Sequence, residues 1–279
     1  MNHTSSSDCR DTMEDVQNGH DGRGIAIDQV GVTDIRWPII VLDRRQGEQP
    51  TVARLTASVT LPHRFRGTHM SRFVEILNEH RGEITLRTLP CILQELKTRL
   101  DAESARIEVT FPYFLERIAP VSGVRALMDY ECTFIGESNG NHSDFLVGVR
   151  VPVTNLCPCS KAISDYGAHN QRGYISVEVR GVAEQEGLPP LIWIEELVNM
   201  AEDSASAPVF PVLKREDERH VTMQAYDNPK FVEDVVRGMA ARLQADSRIV
   251  WYCVRAVNHE SIHHHNAFAQ VTWSRPMSE

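Results

Sequence analysis

The residues best suited to chemistry form a short segment in the middle of the chain, where two cysteines flank a proline. Cys157 and Cys159 lie one residue apart, and His169 follows the second cysteine by ten positions. Because proline holds its φ near about −65°, we expect a stiff, extended turn that presents both thiols to one pocket. Thiolate and imidazole suit zinc or a similar divalent ion, and a third ligand from elsewhere would leave a coordination position open for water. One cysteine could therefore bind a metal while the other attacks a substrate.

A structural role is the alternative for the two cysteines. Free cysteines are often buried, and a close pair in a loop could fill a core or form a disulfide. The neighbouring residues favour chemistry, because a hydrophobic core is not usually built from polar side chains. The polar neighbours are Asn155, Ser160, Lys161, Asp165, Asn170, Gln171 and Arg172.

Two other segments in the second half of the chain could bind ligands. Lys214, Arg215 and Glu218 belong to a charged run that we expect between two helices, where it could contact a phosphate or simply form a solvated surface. Histidines are dense between the last two expected strands, and His263 and His265 would share a face of an extended segment. They could bind a metal or transfer protons, although exposed loop histidines fit the pattern equally well.

A basic stretch and a single carboxylate complete the candidates. The stretch from His63 to Arg72 ends at an expected helix start and could hold an anion. Glu233 lies in the opening turn of the last expected helix. The helix dipole favours a carboxylate there in any case, so the position of Glu233 alone does not indicate a function.

Composition indicates a globular protein with a small-molecule partner. The chain has 279 residues, of which 42% are hydrophobic and 24% charged, enough for a large core. A formal net charge of −9 argues against a general nucleic-acid or membrane-surface binder, so local basic residues must hold any anionic ligand. No apolar run is long enough for a bilayer or a signal peptide, and we expect a cytoplasmic protein. In that reducing compartment its six scattered cysteines favour free thiols or metal ligands.

Hydrophobic periodicity predicts an α+β protein with two similar units in tandem. Residues 1–31 are polar, so we expect a disordered or loosely attached tail before a first unit at 32–140 and a second at 141–279. Each unit is predicted to contain two strands, two helices and two strands. The predicted strands are 35–42, 52–61, 107–111, 128–134, 145–153, 174–179, 249–257 and 267–273, and the predicted helices are 71–79, 90–100, 192–202 and 229–243.

Taken together, the motifs resemble those of the prokaryotic type IB GTP cyclohydrolase I family, also called the second FolE family. The resemblance covers about residues 32–275 and rests on six segments in order, 61–73, 156–161, 168–172, 213–218, 225–234 and 260–263. It implies a tunnelling fold with two ββααββ units per chain, antiparallel sheets with helices packed on one face, and barrels assembled in a homotetramer. It also implies active sites near subunit interfaces.

The same resemblance implies a reaction and a cofactor. GTP and water would be converted to 7,8-dihydroneopterin triphosphate and formate, the first step of folate biosynthesis, with Mn²⁺ or Zn²⁺ as the metal. The reaction requires a polarised water to add at C8 of guanine, proton transfers to open the ring, and a ribose rearrangement. A divalent ion that lowers the pKa of bound water meets the first requirement.

Family motifs assign roles to individual residues. Cys159 is favoured as the catalytic thiol, because Lys161 and the metal would lower its pKa, and it acts with His169 and His263. The two cysteines could exchange roles. His264 or His265 could replace His263. The implied metal ligands are Cys157, His169, Glu218 and His263. The implied substrate contacts are Glu233 for the guanine edge and Lys214, Arg215, Arg64, Arg66 and His69 for the triphosphate.

Two other functions remain open on the sequence. Related tunnelling-fold enzymes reduce a nitrile on a deazapurine with NADPH and a cysteine nucleophile, and that chemistry needs no divalent ion. A non-enzymatic scaffold with a closed structural metal site is the other alternative, and it predicts that metal removal unfolds the protein.

Overall fold

The chain folds around one continuous antiparallel sheet. The computed structural model describes residues 17, 19–80, 84–85, 87–182 and 191–276. Within these ranges the strands are β1 Ile27–Asp43, β2 Gly47–Leu61, β3 Ser104–Ile118, β4 Arg125–Asn139, β5 His142–Leu156, β6 Asn170–Gly181, β7 Ala207–Pro208, β8 Ile249–Asn258 and β9 Ala267–Ser274. The helices are α1 Met70–Glu79, α2 Leu89–Arg99, α3 Pro158–Ile163, α4 Ile194–Glu202, α5 Arg215–Asp227 and α6 Val232–Ala245.

The strands pair in the order β1-β2-β3-β4-β5-β6-β8-β9, and the short β7 pairs with β5. The ladder between β4 and β5 makes the two halves of the chain one sheet. Helices α1 and α2 pack on the first half, whereas α4 and α6 pack on the second. Every other strand residue points to this helical face, which gives one contiguous apolar core. In the part of the chain described here, no helix is both long and apolar enough to cross a bilayer.

Each predicted strand and helix overlaps an observed one, and the α+β class is confirmed. Two helices, α3 and α5, were not predicted. Helix α5 buries only Asp217 and Ala225, so it has no apolar stripe that periodicity could detect. Helix α3 has only six residues and no buried side chain. The proposed tail at 1–31 lies mostly outside the described residues, and strand β1 already begins at Ile27.

Helix α4 joins the two halves through buried charged groups. Its last residue, Glu202, is hydrogen-bonded by Arg117 of β3 and by the Tyr130 hydroxyl of β4, the latter at 3.2 Å. Burial raises the pKa of Glu202, and the Arg117 charge opposes that shift. At the other end of α4, Tyr113 of β3 donates to Glu195 at 2.9 Å. The position of α4 on the sheet therefore depends on these pairs as well as on apolar packing.

We predict that Arg117→Met destabilises the protein by about 3 kcal/mol, because it leaves the Glu202 carboxylate buried without its counter-charge. Since the pKa of Glu202 would rise further, the loss of stability should be greater at neutral pH than at mildly acidic pH. At mildly acidic pH the carboxyl group becomes protonated and needs no counter-charge. Thermal unfolding at both pH values measures the effect. Arg125→Met is the matched control, because Arg125 pairs with Glu116 on the exposed surface and should cost less than about 1 kcal/mol. Equal effects of the two variants would contradict this account.

Candidate active site

Strand pairing brings Cys157 and His169 together. The β5–β6 ladder continues to its last pair, Leu156 opposite Asn170, so the residues just beyond it are adjacent. The Cys157 amide donates to the His169 carbonyl at 3.1 Å, which extends the pairing by one bond. Residues 158–168 leave the sheet and return between these two points. The thiol and the imidazole, twelve residues apart in sequence, thus begin from adjacent backbone positions.

The Cys-Pro-Cys motif begins a helix, which corrects the expected extended turn. Cys157 is the N-cap of α3, and Pro158 occupies the first turn, where its missing N–H is tolerated. The Cys157 sulfur accepts a hydrogen bond from the Ser160 amide at 3.5 Å. Both cysteines are free thiols; Cys157 is half-buried and Cys159 is exposed. The disulfide and buried-core alternatives therefore do not hold for this pair.

The His169 ring is oriented by the strand that follows it. Its Nδ1 lies 2.7 Å from the Gln171 side-chain oxygen and 3.4 Å from the Ser261 hydroxyl. An amide oxygen only accepts, so Nδ1 carries the proton and the Nε2 lone pair is left to bind a metal or accept a proton. Gln171 in turn donates to Glu260 at 3.4 Å. These bonds connect His169 to the loop that contains the expected His263.

The histidine loop between β8 and β9 lies beside this site. The His259 amide donates to the Arg172 carbonyl at 2.9 Å, which anchors the start of the loop on β6. His263, His264 and His265 are exposed. The rings of His263 and His265 stack with centroids 5.2 Å apart, in agreement with the prediction that they share a face. Either of these two imidazoles could thus approach the same ligand.

Buried amides support the site from below. Asn155 of β5 donates to Asn258 of β8 at 2.7 Å, and both side chains are less than 5% exposed. The Ser206 hydroxyl receives a bond from the Leu156 amide at 3.1 Å. The two asparagines meet across Gly173 of β6, where a Cβ would come within 2.8 Å of Asn258 and 2.9 Å of Asn155. Only glycine leaves room for this contact directly beneath the ends of β5 and β6.

The connection between α5 and α6 is tied to the same strand end. The Lys230 amide donates to the Leu156 carbonyl at 3.1 Å, one residue before Cys157. The next helix, α6, contains the expected substrate residue Glu233, which is exposed in its first turn. The Lys161 ammonium group of α3 donates to the Tyr226 backbone carbonyl and lies 4.1 Å from the centre of the Tyr226 ring. The ammonium group therefore connects α3 to α5.

Lys214, Arg215 and Glu218 lie at the start of α5, which corrects the prediction of a loop between helices. The neighbouring Asp217 is buried and accepts bonds from the Ser122 hydroxyl and from the backbone amides of Val121, Ser122 and Lys214. Burial alone would raise the pKa of Asp217, but these hydrogen bonds hold it well below its usual value. A residue of the charged run thus has a structural role, since it anchors α5 to the β3–β4 turn.

The predicted metal ligands are not gathered within one chain. Glu218 is eight residues from Tyr226 along α5, a distance of about 12 Å at the helical rise. Among the residues that the structure describes, no three of Cys157, His169, Glu218 and His263 place their ligand atoms within 4.8 Å of one another. Cys157, His169 and the histidine loop share one site, and Glu218 lies in the first turn of α5.

The basic residues of the first half occupy the connection from β2 to α1. Arg64 and Arg66 are exposed, and Arg64 pairs with Asp101 at 3.5 Å. His69 caps the start of α1 and lines a cavity of about 330 Å³ together with Arg72. The Asp101 carboxylate lines the same cavity, so its wall carries both charges. The cavity belongs to the first half of the chain, whereas the cysteine loop belongs to the second.

Sequence analysis did not assign roles to the residues that position the site. These are Asn155, Ser160, Gln171, Ser206 and Asn258, and four of the five are less than 9% exposed. Gln171 and Asn155 lie in the polar stretch around the cysteines, and that polarity was the one feature of the sequence that pointed to them. Their role in orientation depends on contacts with distant strands, and the local sequence does not contain that information.

Comparison with known proteins identifies the family. A model of the family described as type I GTP cyclohydrolase folE2 matches residues 13–269. The chain belongs to this family. The FolE2 GTP cyclohydrolase of Nitrosococcus oceani is 54% identical over 259 residues, covering 93% of this chain and 94% of the relative. That of Geobacter metallireducens is 52% identical over 267 residues, covering 96% and 99%. The resemblance seen in the motifs is thereby confirmed.

Solved structures of urate oxidases share the fold of this FolE2 family member. Uricase from Arthrobacter globiformis superposes with a TM-score of 0.56 at 9% identity, over 90% of this chain and 95% of that one. Urate oxidase from Bacillus subtilis 168 gives a TM-score of 0.52 at 8% identity, over 88% and 98%. At such low identity the likeness concerns the fold alone: an antiparallel sheet with helices on one face.

We predict that Gly173→Ala destabilises the protein by about 2 kcal/mol or more, because the added methyl group would separate the buried Asn155 and Asn258 amides. Gly148→Ala is the matched control in the neighbouring strand β5, where the nearest atom to an added Cβ is 3.5 Å away. Thermal unfolding of the two variants measures the difference. Similar melting temperatures would mean that the amide contact contributes little to stability.

Proposed function

We propose that this chain is a GTP cyclohydrolase I that converts GTP and water to 7,8-dihydroneopterin triphosphate and formate, the first step of folate biosynthesis. The observation that carries the proposal is the junction of β5 and β6, which places Cys157 beside His169 in a chain of the folE2 family. Loss of formate from a purine requires proton transfers at neutral pH, and imidazole and thiol groups suit that task.

The donor set fits a divalent metal, Mn²⁺ or Zn²⁺. Cys157, His169, Glu218 and His263 would hold it with one sulfur, two nitrogens and one carboxylate, a mixture typical of borderline ions. The unprotonated His169 Nε2 agrees with this role, because the other ring nitrogen donates its N–H to the Gln171 side-chain oxygen. When bound, such an ion supplies Lewis acidity that makes water a nucleophile near neutral pH.

The other residues bind the nucleotide. Cys159, the exposed thiol in the first turn of α3, would contact the reacting purine. His169 would act on the purine through the metal, and His263 next to the metal would be a ligand or a proton carrier. Glu233, exposed in the first turn of α6, would accept two N–H bonds from the guanine edge. The cationic residues assigned to the triphosphate are Lys214, Arg215, Arg64, Arg66 and His69.

Assembly would complete the site, and we propose a homotetramer of tandem tunnelling-fold units, 32–140 and 141–279, that closes into a barrel in the cytoplasm. The face of the sheet opposite the helices exposes large apolar side chains, and the sheet ends in the open edges of β1 and β9. Open sheet edges favour association. A second copy could bring Glu218 and the basic residues to the cysteine loop. The exposed apolar residues include Val52, Phe114, Leu127 and Phe268.

Incubation with GTP and Mn²⁺ tests the proposal. We expect equimolar formate and a pterin that becomes fluorescent after oxidation. Cys159→Ala should lower the rate by at least about a thousandfold while the oligomeric state is unchanged, because the reacting thiol is lost. Cys253→Ser, in strand β8, is the control and should retain activity.

Chelation separates the alternatives. A chelator should abolish turnover and leave the circular dichroism spectrum intact, and Mn²⁺ or Zn²⁺ should restore activity. Unfolding on chelation would instead support a structural metal scaffold. NADPH consumption with a deazapurine nitrile and no formate from GTP would support the reductase.

We predict that Gln171→Met weakens metal binding by about 10- to 100-fold, because His169 loses the acceptor that fixes its tautomer. Equilibrium dialysis with Mn²⁺ measures this effect independently of turnover. Ser261→Ala removes only the longer 3.4 Å contact to the same nitrogen and should have a smaller effect. If Ser261→Ala weakens metal binding more than Gln171→Met does, Gln171 does not fix the tautomer.

A further inference from the structure

A second set of metal-ligating side chains lies on the helices of the first half. His80, Cys91 and Glu95 place one nitrogen, one sulfur and one carboxylate oxygen within 4.8 Å of one another. None of them belongs to the cysteine loop or to the residues proposed to bind GTP. Among the described residues, no other group of three such side chains is this close.

Two helices supply these ligands from fixed positions. Cys91 and Glu95 are four residues apart on α2, so their side chains lie on one face of the helix. His80 is the C-cap of α1, and its amide donates to the Ile76 carbonyl. The imidazole Nε2 lies 2.9 Å from the Glu95 carboxylate. The cluster therefore spans the contact between α1 and α2.

The helix pair is rigid at this point. Phe73 and Leu77 of α1 and Leu96 of α2 are completely buried. Arg99 of α2 pairs with Glu79 of α1 at 2.8 Å. Ligands on such a packed pair lose little conformational freedom when they bind an ion, which favours binding.

We propose that His80, Cys91 and Glu95 form a binding site for a borderline divalent ion such as Zn²⁺, separate from the catalytic centre. Bonds of about 2.0–2.3 Å in a tetrahedral site set ligand atoms about 3.3–3.8 Å apart, so side-chain shifts of about 1 Å are sufficient. The ion replaces the proton between His80 and Glu95, and the Cys91 thiol loses its proton. Because Cys91 is exposed, water completes the coordination. Bound in this way, the ion links α1 to α2.

Cobalt is the probe, because Co²⁺ bound to a thiolate has a charge-transfer band in the near ultraviolet. The full chain with Cys157→Ser and Cys159→Ser lacks the thiols of the proposed catalytic centre, and we expect it to retain this band. Adding Cys91→Ser should abolish the band. The matched control is Cys253→Ser, which should leave the band unchanged. The Cys253 sulfur lies in the sheet, where it accepts a hydrogen bond from the Thr272 hydroxyl. His80→Gln and Glu95→Gln should each weaken Co²⁺ binding by at least about tenfold.

A second measurement does not require the double cysteine variant to fold. After equilibration with Zn²⁺ and removal of excess metal, the otherwise unaltered Cys91→Ser chain should contain one zinc ion fewer per chain than the original. The zinc content is measured without turnover, so failure of the proposed catalytic function would not affect it. The two chains should turn over GTP at the same rate. Equal zinc content, or a cobalt band that persists without Cys91, would overturn the proposal.

Discussion

The antiparallel ladder between β5 and β6 is the constraint on which the candidate site depends. Hydrogen bonds along this ladder fix Leu156 opposite Asn170, so the chain must leave and re-enter the sheet at neighbouring points. Cys157 and His169 are those points. A shift of register by one residue would turn alternate side chains to the opposite face and separate the cysteine loop from its support.

Buried polar contacts hold that strand end in place. The amides of Asn155 and Asn258 join β5 to β8 across Gly173, and the Lys230 amide brings the start of α6 to the same carbonyl end. Buried polar groups are costly unless every partner is present, so such a network specifies one arrangement more strictly than apolar packing does. The site is thus built at one end of β6, a strand that pairs with β5 on one side and with β8 on the other.

The strand order leaves the sheet open at both of its ends. In the described part of the chain, β1 and β9 are edge strands, and the sheet face opposite the helices mixes exposed apolar residues such as Phe114 and Leu127 with charged ones such as Glu131. In the proposed homotetramer, further copies would pair with these edges, and assembly would then be linked to catalysis. By contrast, the cluster on α1 and α2 is complete within one chain.

The elements with strong periodicity and the segments that carry chemistry could be predicted from the sequence. Alternating residues in β3 and the apolar stripe of α2 are local patterns that reflect burial of one face, and the spacing of Cys157, Cys159 and His169 is directly visible. Helix α5 was not predicted because a buried carboxylate, Asp217, anchors it to the rest of the chain, and it has no apolar stripe. The fold was needed to show which nitrogen of His169 is available and that His80, at the end of one helix, meets two residues of the next. Those facts depend on contacts between distant segments, and a local pattern contains no information about which segments meet.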